Sequence, residues 1–293
     1  MRITTSMMIG VTLANISTNQ NRLAELQDRI TSGQKLRRPQ DDPVAVAQAM
    51  SVKADLKRVA QYRRNLLMAG GWLNATETAL QQVTSLVQRA RELAVTASNG
   101  ALPPQQRGTI AAEVKQLFAS AVDLGNSKQG NRYVFGGFGV LDKPFQVAGN
   151  PAGYSYLGDS GEIRVEVTPN TTVTVNTPGT RVFPVVLQAM KDLQTALENS
   201  DVPGIGLATS ALDSALDSSL GELAAIGAKS SSVDTADQRA QDVNIDKQQQ
   251  LSNLADTDMA EALLQFNTQQ AVYQASLKTA GQAIQPSLLD YLK

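Results

Sequence analysis

Two short stretches of this chain gather side chains that could do chemistry. Residues 33–43 read GQKLRRPQDDP and set Arg37 and Arg38 beside Asp41 and Asp42. Residues 158–162 read GDSGE and place Asp159, Ser160 and Glu162 in one loop. Paired carboxylates can share acid and base roles, paired arginines can hold a phosphate, and a serine in a tight turn can be a nucleophile. Each reading needs a partner that the chain lacks. It contains no histidine and no cysteine, which removes the Ser-His-Asp triad, the imidazole proton shuttle, the thiol nucleophile and every cysteine-based zinc site. Asp41 and Asp42 have no neighbouring base. The first stretch therefore reads as a corner between helices (Gly33, Arg37, Arg38, Asp41, Asp42, Pro43), and the second as a tight loop. No catalytic residue, metal or cofactor is expected, and the chain is read as a non-enzyme.

The composition narrows the classes further. Only 4% of residues are aromatic, so small and aliphatic side chains must do the packing, as they do where long helices pair along narrow seams. Mean hydropathy is −0.19 and no apolar run approaches the roughly 18 residues of a membrane span, so membrane insertion is not expected. The opening MRITTSMMIGVTLANIS lacks a cleavage signature, and a cleaved secretory signal is not expected either. Charge is unevenly placed. Residues 1–64 carry eleven Lys/Arg against five Asp/Glu, and residues 230–293 carry four against eight. The two ends are of opposite sign and could attract each other. A nucleic-acid role has no aromatic interleaving or binding motif behind it.

The elements that must position these residues follow from periodicity. Ile9, Leu13, Ile16, Gln20, Leu23, Gln27 and Ile30 alternate spacings of four and three, predicting a helix with one partnered face that ends at Gly33. Asp42 and Pro43 suit an N-cap and a first helical residue. The stripe from Val52 through Leu66, Leu73, Leu80 and Val87 to Ala94 then predicts one helix of more than fifty residues, with Gly70–Gly71 as a weak point. A turn at SNGALPP precedes a third helix carrying Ile110, Val114, Leu117, Ala121 and Leu124, which ends in a loop at GNSKQGN. From Arg132 to about Phe183 the runs alternate or are β-branched between Gly, Pro and Asn, predicting short strands. Helical spacing resumes at Val185 and, after SDVPG, from Leu207 to about Leu251. A last helix carries Met259, Leu263, Phe266, Gln270, Tyr273, Leu277, Ala280 and Ile284, with Asp258 and Glu261 at capping-box spacing. The order predicts a mainly α fold with a small β insert: an antiparallel long-helix rod, coiled-coil-like, with its terminal helices paired.

These motifs also carry a resemblance. TSGQKLRRPQDDPVAVAQA, VQRARELAVTASNG and LADTDMAEALLQFNTQQAVYQASLKTAGQAIQPSLLDYL, in this order at the two ends, resemble the flagellin-type axial proteins of the bacterial flagellum. The start MRITTSMM, the stretch NRYVFGGF and the small insert resemble the members that sit between hook and filament. The resemblance implies terminal arms at 1–40 and 252–293, a helical rod domain at 41–131 and 184–251, and an outer β-rich domain at 132–183. It implies an extracellular place in the flagellum, reached by the flagellar type III export apparatus. It further implies contacts with copies of itself, with the first hook-associated protein and with flagellin, and an export chaperone on the C-terminal arm. The apolar arm residues Ile9, Leu13, Ile16, Leu23, Ile30, Met259, Leu263, Phe266, Tyr273, Leu277 and Ile284 would then form an assembly interface. Arg89, Glu92, Leu93 and Glu113, with Gln88, match the flagellin surface that a vertebrate innate receptor reads, although a plain solvated helix face explains the same residues. A filament flagellin, or a secreted enzyme carried on the same scaffold, are the alternative readings.

Overall fold

The computed structural model of the chain describes residues 5–36, 42–148 and 153–284. It is mainly α, with small antiparallel hairpins. The α-helices are α1 (Thr5–Ser32), α2 (Pro43–Ala97), α3 (Pro104–Gly125), α4 (Phe183–Glu198), α5 (Val202–Ala255) and α6 (Met259–Ile284). Between α3 and α4 lie β1 (Lys128–Gln129), β2 (Arg132–Tyr133), β3 (Phe145–Ala148), β4 (Gly153–Tyr156), β5 (Arg164–Thr168) and β6 (Thr171–Thr174). The chain divides into two compact units, Met1–Lys57 with Asn244–Lys293, and Arg58–Val243.

The first unit holds α1 packed on α6, with the start of α2 and the end of α5. Asp42 does cap α2: its Oδ1 accepts the backbone N–H groups of Val44 at 3.1 Å and Ala45 at 3.0 Å. Asp258 caps α6 in the same way, through Ala260 at 2.9 Å and Glu261 at 3.2 Å. Glu261 accepts instead from Gln265 Nε2, one turn on, at 2.9 Å. Lys247 pairs with Asp55 at 3.3 Å and ties α5 to α2 within this unit.

The second unit has the continuous core. The predicted stripe of α2 is buried from Leu66 through Ala69, Leu73, Thr76, Leu80, Val83, Val87 and Ala90 to Ala94. It meets Ala111, Val114, Phe118 and Ala121 of α3, Val186, Leu187, Met190 and Leu193 of α4, and Ile205, Leu212, Ala215 and Ile226 of α5. Each fully buried Leu or Val contributes roughly 1.5–3 kcal/mol, and the many alanines let the helices approach closely. The weak point expected at Gly70–Gly71 does not interrupt the helix. A Cβ on Gly71 would lie 2.9 Å from Gln129 Nε2, so this glycine makes room for a side chain beside α2. Arg107, only 5% exposed, donates to the carbonyl oxygens of Ala97 at 3.3 Å and Asn99 at 3.0 Å, closing the end of α2.

The strands form three separate two-stranded hairpins, β1–β2, β3–β4 and β5–β6. GNSKQGN, expected as a loop, contains β1 and the turn of the first hairpin, with Gly130 at φ +60°. Hairpins this short are marginal alone, and side chains that pair with backbone hold them here. Asn126, after α3, donates from Nδ2 to Phe145 O at 2.9 Å and accepts Phe145 N–H on Oδ1 at 2.9 Å, as a ladder partner would. Asn176 accepts from Ile163 N–H at 2.7 Å and donates to Gly161 O at 2.8 Å. Asn65 of α2 donates to Glu166 O at 2.8 Å. Phe135 packs edge-on and Phe145 tilted against Phe183, with centroids 4.8 and 4.9 Å apart, and the three carry the apolar core into the insert.

Candidate assembly interface

The arms carry apolar residues beyond those that the pairing of α1 with α6 covers. α1 and α6 run antiparallel. Asn19 donates to Ser276 Oγ at 3.0 Å and accepts from Gln269 Nε2 at 3.3 Å, while Gln34 bridges Asp256 at one end. The turned-in residues of α1 are Ile9, Thr12, Ile16, Asn19, Leu23, Leu26 and Ile30. Those of α6 are Ala262, Phe266, Gln269, Tyr273, Ser276 and Ala280.

This seam corrects the predicted stripe by one position in every second step. Ile9, Ile16, Leu23, Ile30, Phe266, Tyr273 and Ala280 lie on it as expected. Leu13, Gln20 and Gln27 of α1 and Met259, Leu263, Gln270 and Leu277 of α6 do not, and are exposed. Leu13 is 56% exposed and Leu263 46%. The seam takes Thr12, Asn19 and Leu26 with Ala262, Gln269 and Ser276 instead, a mix of small and hydrogen-bonding residues. The apolar ones among them, Leu13, Met259, Leu263 and Leu277, with Val11, Leu264 and Val272, are a second set of apolar residues, exposed on the outer faces of the pair. The side chain of Ile284 lies outside the described residues.

At the corner, Gly33 has φ +68° and ends α1, its N–H donating to Arg29 O at 2.9 Å. Its carbonyl accepts Thr257 N–H at 2.9 Å, and Lys35 N–H donates to Ala255 O at 2.7 Å. The break after α1 and the break between α5 and α6 are thus stitched together. Arg37, Arg38 and Asp41 lie outside the described residues, so their part in the corner is not described.

The other candidates hold structure. Asp159 accepts backbone N–H groups from Phe138 at 2.9 Å, Gly139 at 3.2 Å and Gly161 at 2.6 Å. The bonds from Phe138 and Gly161 lead in holding its carboxyl below the usual range. Glu162 pairs with Arg181 at 3.0 Å and Arg164 at 3.3 Å. GDSGE is therefore a latch within the insert. Arg89 bridges Glu113 of α3 at 2.8 Å and Glu92 at 3.2 Å; its bonds to Glu113 first, then Glu92, raise its pKa. Leu93 is a correction to the receptor-like group: it is 7% exposed, on the face of α2 turned to the core, and is no surface residue. Among the described residues no group of acidic side chains could hold a metal ion, and no helix is long and apolar enough to cross a membrane.

Residues 3–137 match the bacterial flagellin N-terminal helical region. Over 95% of its length the chain is 27% identical to flagellar hook-associated protein 3 of Salmonella typhimurium, covering 96% of that protein. Among solved structures it resembles a flagellar hook-associated protein of Vibrio parahaemolyticus, with TM-score 0.67, 20% identity, and coverage of 74% of this chain and 100% of that one. It also resembles the flagellar junction protein FlgL of Legionella pneumophila, with TM-score 0.57, 18% identity, and coverage of 70% and 100%. Its N-terminal part is thus similar to the flagellin N-terminal helical region, and over nearly all of its length the chain is similar to hook-associated protein 3.

Proposed function

We propose that this chain is a structural adapter of the bacterial flagellum, seated between hook and filament, with no catalytic role. The observation that carries the reading is the second apolar set on the arms, in a chain similar over 95% of its length to hook-associated protein 3. An isolated protein gains nothing from holding Leu13, Leu263, Leu264 and Leu277 in water. A protein whose arms pack among copies and neighbours buries them, each for roughly 1.5–3 kcal/mol. In this reading the residues facing the α1–α6 seam hold the arm pair together, and the outer set meets other subunits. The arms (1–40 and 252–293), the helical domain (41–131 and 184–251) and the outer domain (132–183) divide the work. The arms assemble, and the other two fix the spacing to the first hook-associated protein on one side and to flagellin on the other. The chain leaves the cell through the flagellar type III apparatus, with a chaperone covering the C-terminal arm until export.

Deleting the gene in a motile host tests this. The expected result is complete hooks without filaments and flagellin lost to the medium, both reversed by the intact gene. Normal filaments on the deletion strain would overturn the reading.

A further inference from the structure

The turn after α2 holds the only Asn–Gly pair of the chain, Asn99–Gly100. Glycine has no Cβ to shield its nitrogen, and around Gly100 nothing lies within 4 Å of where a Cβ would stand. Asn99, Gly100 and Ala101 are exposed, and among the described residues the Gly100 N–H meets no acceptor. Water therefore reaches this peptide nitrogen, and no protein hydrogen bond holds its proton. Both carbonyl groups of Asn99, in contrast, are held by donors. Its side-chain Oδ1 accepts the N–H of Ala101 at 3.1 Å, which curls the amide back over the peptide that Gly100 begins. Its backbone oxygen accepts the N–H of Leu102 at 3.0 Å and Nη2 of Arg107 at 3.0 Å. The buried Arg107 guanidinium meets carbonyl oxygens and, among the described residues, no carboxylate. Such a cation favours negative charge on the oxygen it touches.

We infer that Asn99 is a self-modification site: the chain deamidates there, and Arg107 directs the product to the isoaspartyl form. The Gly100 nitrogen gives its proton to solvent and attacks Cγ of Asn99, while the Ala101 N–H stabilises the charge that develops on Oδ1. The side-chain nitrogen takes up a proton and leaves as ammonia, closing a cyclic succinimide. Water then adds to one of the two ring carbonyls. At the former backbone carbonyl, the developing oxyanion lies against Arg107 and the Leu102 N–H. The bond from that carbon to the Gly100 nitrogen breaks, Gly100 stays joined to Cγ, and the former backbone carbonyl becomes a free carboxylate. The balance is ammonia released and water consumed, with nothing oxidised or reduced. The new carboxylate forms on the atom that Arg107 already binds, so a bond to a neutral carbonyl becomes an ion pair at a buried cation.

The test ages the purified full-length protein at neutral pH and physiological temperature, with samples digested at intervals. Chromatography with mass spectrometry separates the asparaginyl, aspartyl and isoaspartyl forms of the peptide that carries position 99. The same chain unfolded in guanidinium chloride is the reference, since Arg107 is then no longer held at that carbonyl. The expected result is conversion in the folded chain, with an isoaspartyl-to-aspartyl ratio about tenfold above the unfolded reference, less than one oxyanion donor is worth. Arg107→Gln is expected to bring the folded ratio down to that reference. Gly100→Ala is expected to slow conversion about tenfold in both states, because a Cβ crowds the attacking nitrogen. Circular dichroism checks that each variant is folded; if Arg107→Gln does not fold, the folded and unfolded forms of the unsubstituted chain decide the matter. A folded chain that keeps its asparagine, or a product ratio equal in the two states, overturns the inference. A folded Arg107→Gln variant with the unsubstituted chain's ratio overturns it as well.

Discussion

At the scale of single residues, the polar groups that could be mistaken for a site are the ones that hold backbone. Asp159 satisfies the N–H groups of Phe138, Gly139 and Gly161, and its exposed carboxyl is held below its ordinary range for that reason. A carboxylate depressed in the folded state stabilises the fold above the unfolded-chain value of about 3.9 and loses that contribution as pH falls through the lower folded value. Asp159→Ala is therefore expected to lower the melting temperature at pH 7. The gap from wild type should narrow steadily in melts repeated from pH 4 to pH 2.5; a gap independent of pH would remove the carboxylate from the account. Asn126 is a sharper case, since it stands in for a strand partner of Phe145. Asn126→Ala leaves a backbone donor and acceptor without partners and should cost about 1–3 kcal/mol in denaturant unfolding. Neither role is written in the sequence. An aspartate in GDSGE and an asparagine after a helix look the same whether they hold a ligand or their own backbone. Only the absence of histidine made the first choice legible.

At the scale of elements, long helices were legible and their facing was half legible. The stripe of α2 from Leu66 to Ala94 predicted its burial residue by residue, because Leu, Val and Ala recur there without a competing phase. On α1 two phases compete. Ile9, Ile16, Leu23 and Ile30 are common to both, and Thr12, Asn19 and Leu26 offer as many apolar residues as Leu13, Gln20 and Gln27. On α6 the richer phase is the outer one. Pattern reading assigns the richest stripe to the nearest partner, and that rule fails where a helix has two partners. The β insert was legible as strands from β-branched runs, while GNSKQGN hid a two-residue strand beside its turn. These placements separate two kinds of substitution. Leu80→Ala, at a fully buried position in the second unit, should cost about 2–5 kcal/mol. The single tryptophan, Trp72, lies buried in that core, so its fluorescence follows the loss. Leu263→Glu, at a half-exposed position, should leave the circular dichroism melt of the isolated protein within about 0.5 kcal/mol of wild type. In cells it should abolish filament attachment. A variant that unfolds, or one that supports full motility, would move Leu263 out of the proposed interface.

At the scale of the whole molecule, the arms offer exposed apolar faces. Two stitched helix breaks at Gly33–Lys35 and Ala255–Thr257 set off arms whose outer apolar residues exceed the demand of their own seam. The similarity in sequence to hook-associated protein 3 covers 95% of the chain, and the similarity of fold to a solved hook-associated protein covers 74% of it. A filament flagellin would show many of the same features, so the central claim turns on where the chain sits and in what amount. Immunogold labelling of isolated flagella with an antibody raised against this chain decides it most directly. The account predicts gold confined to one narrow band where hook meets filament, with the filament beyond it bare. Gold spaced along the whole filament would contradict it.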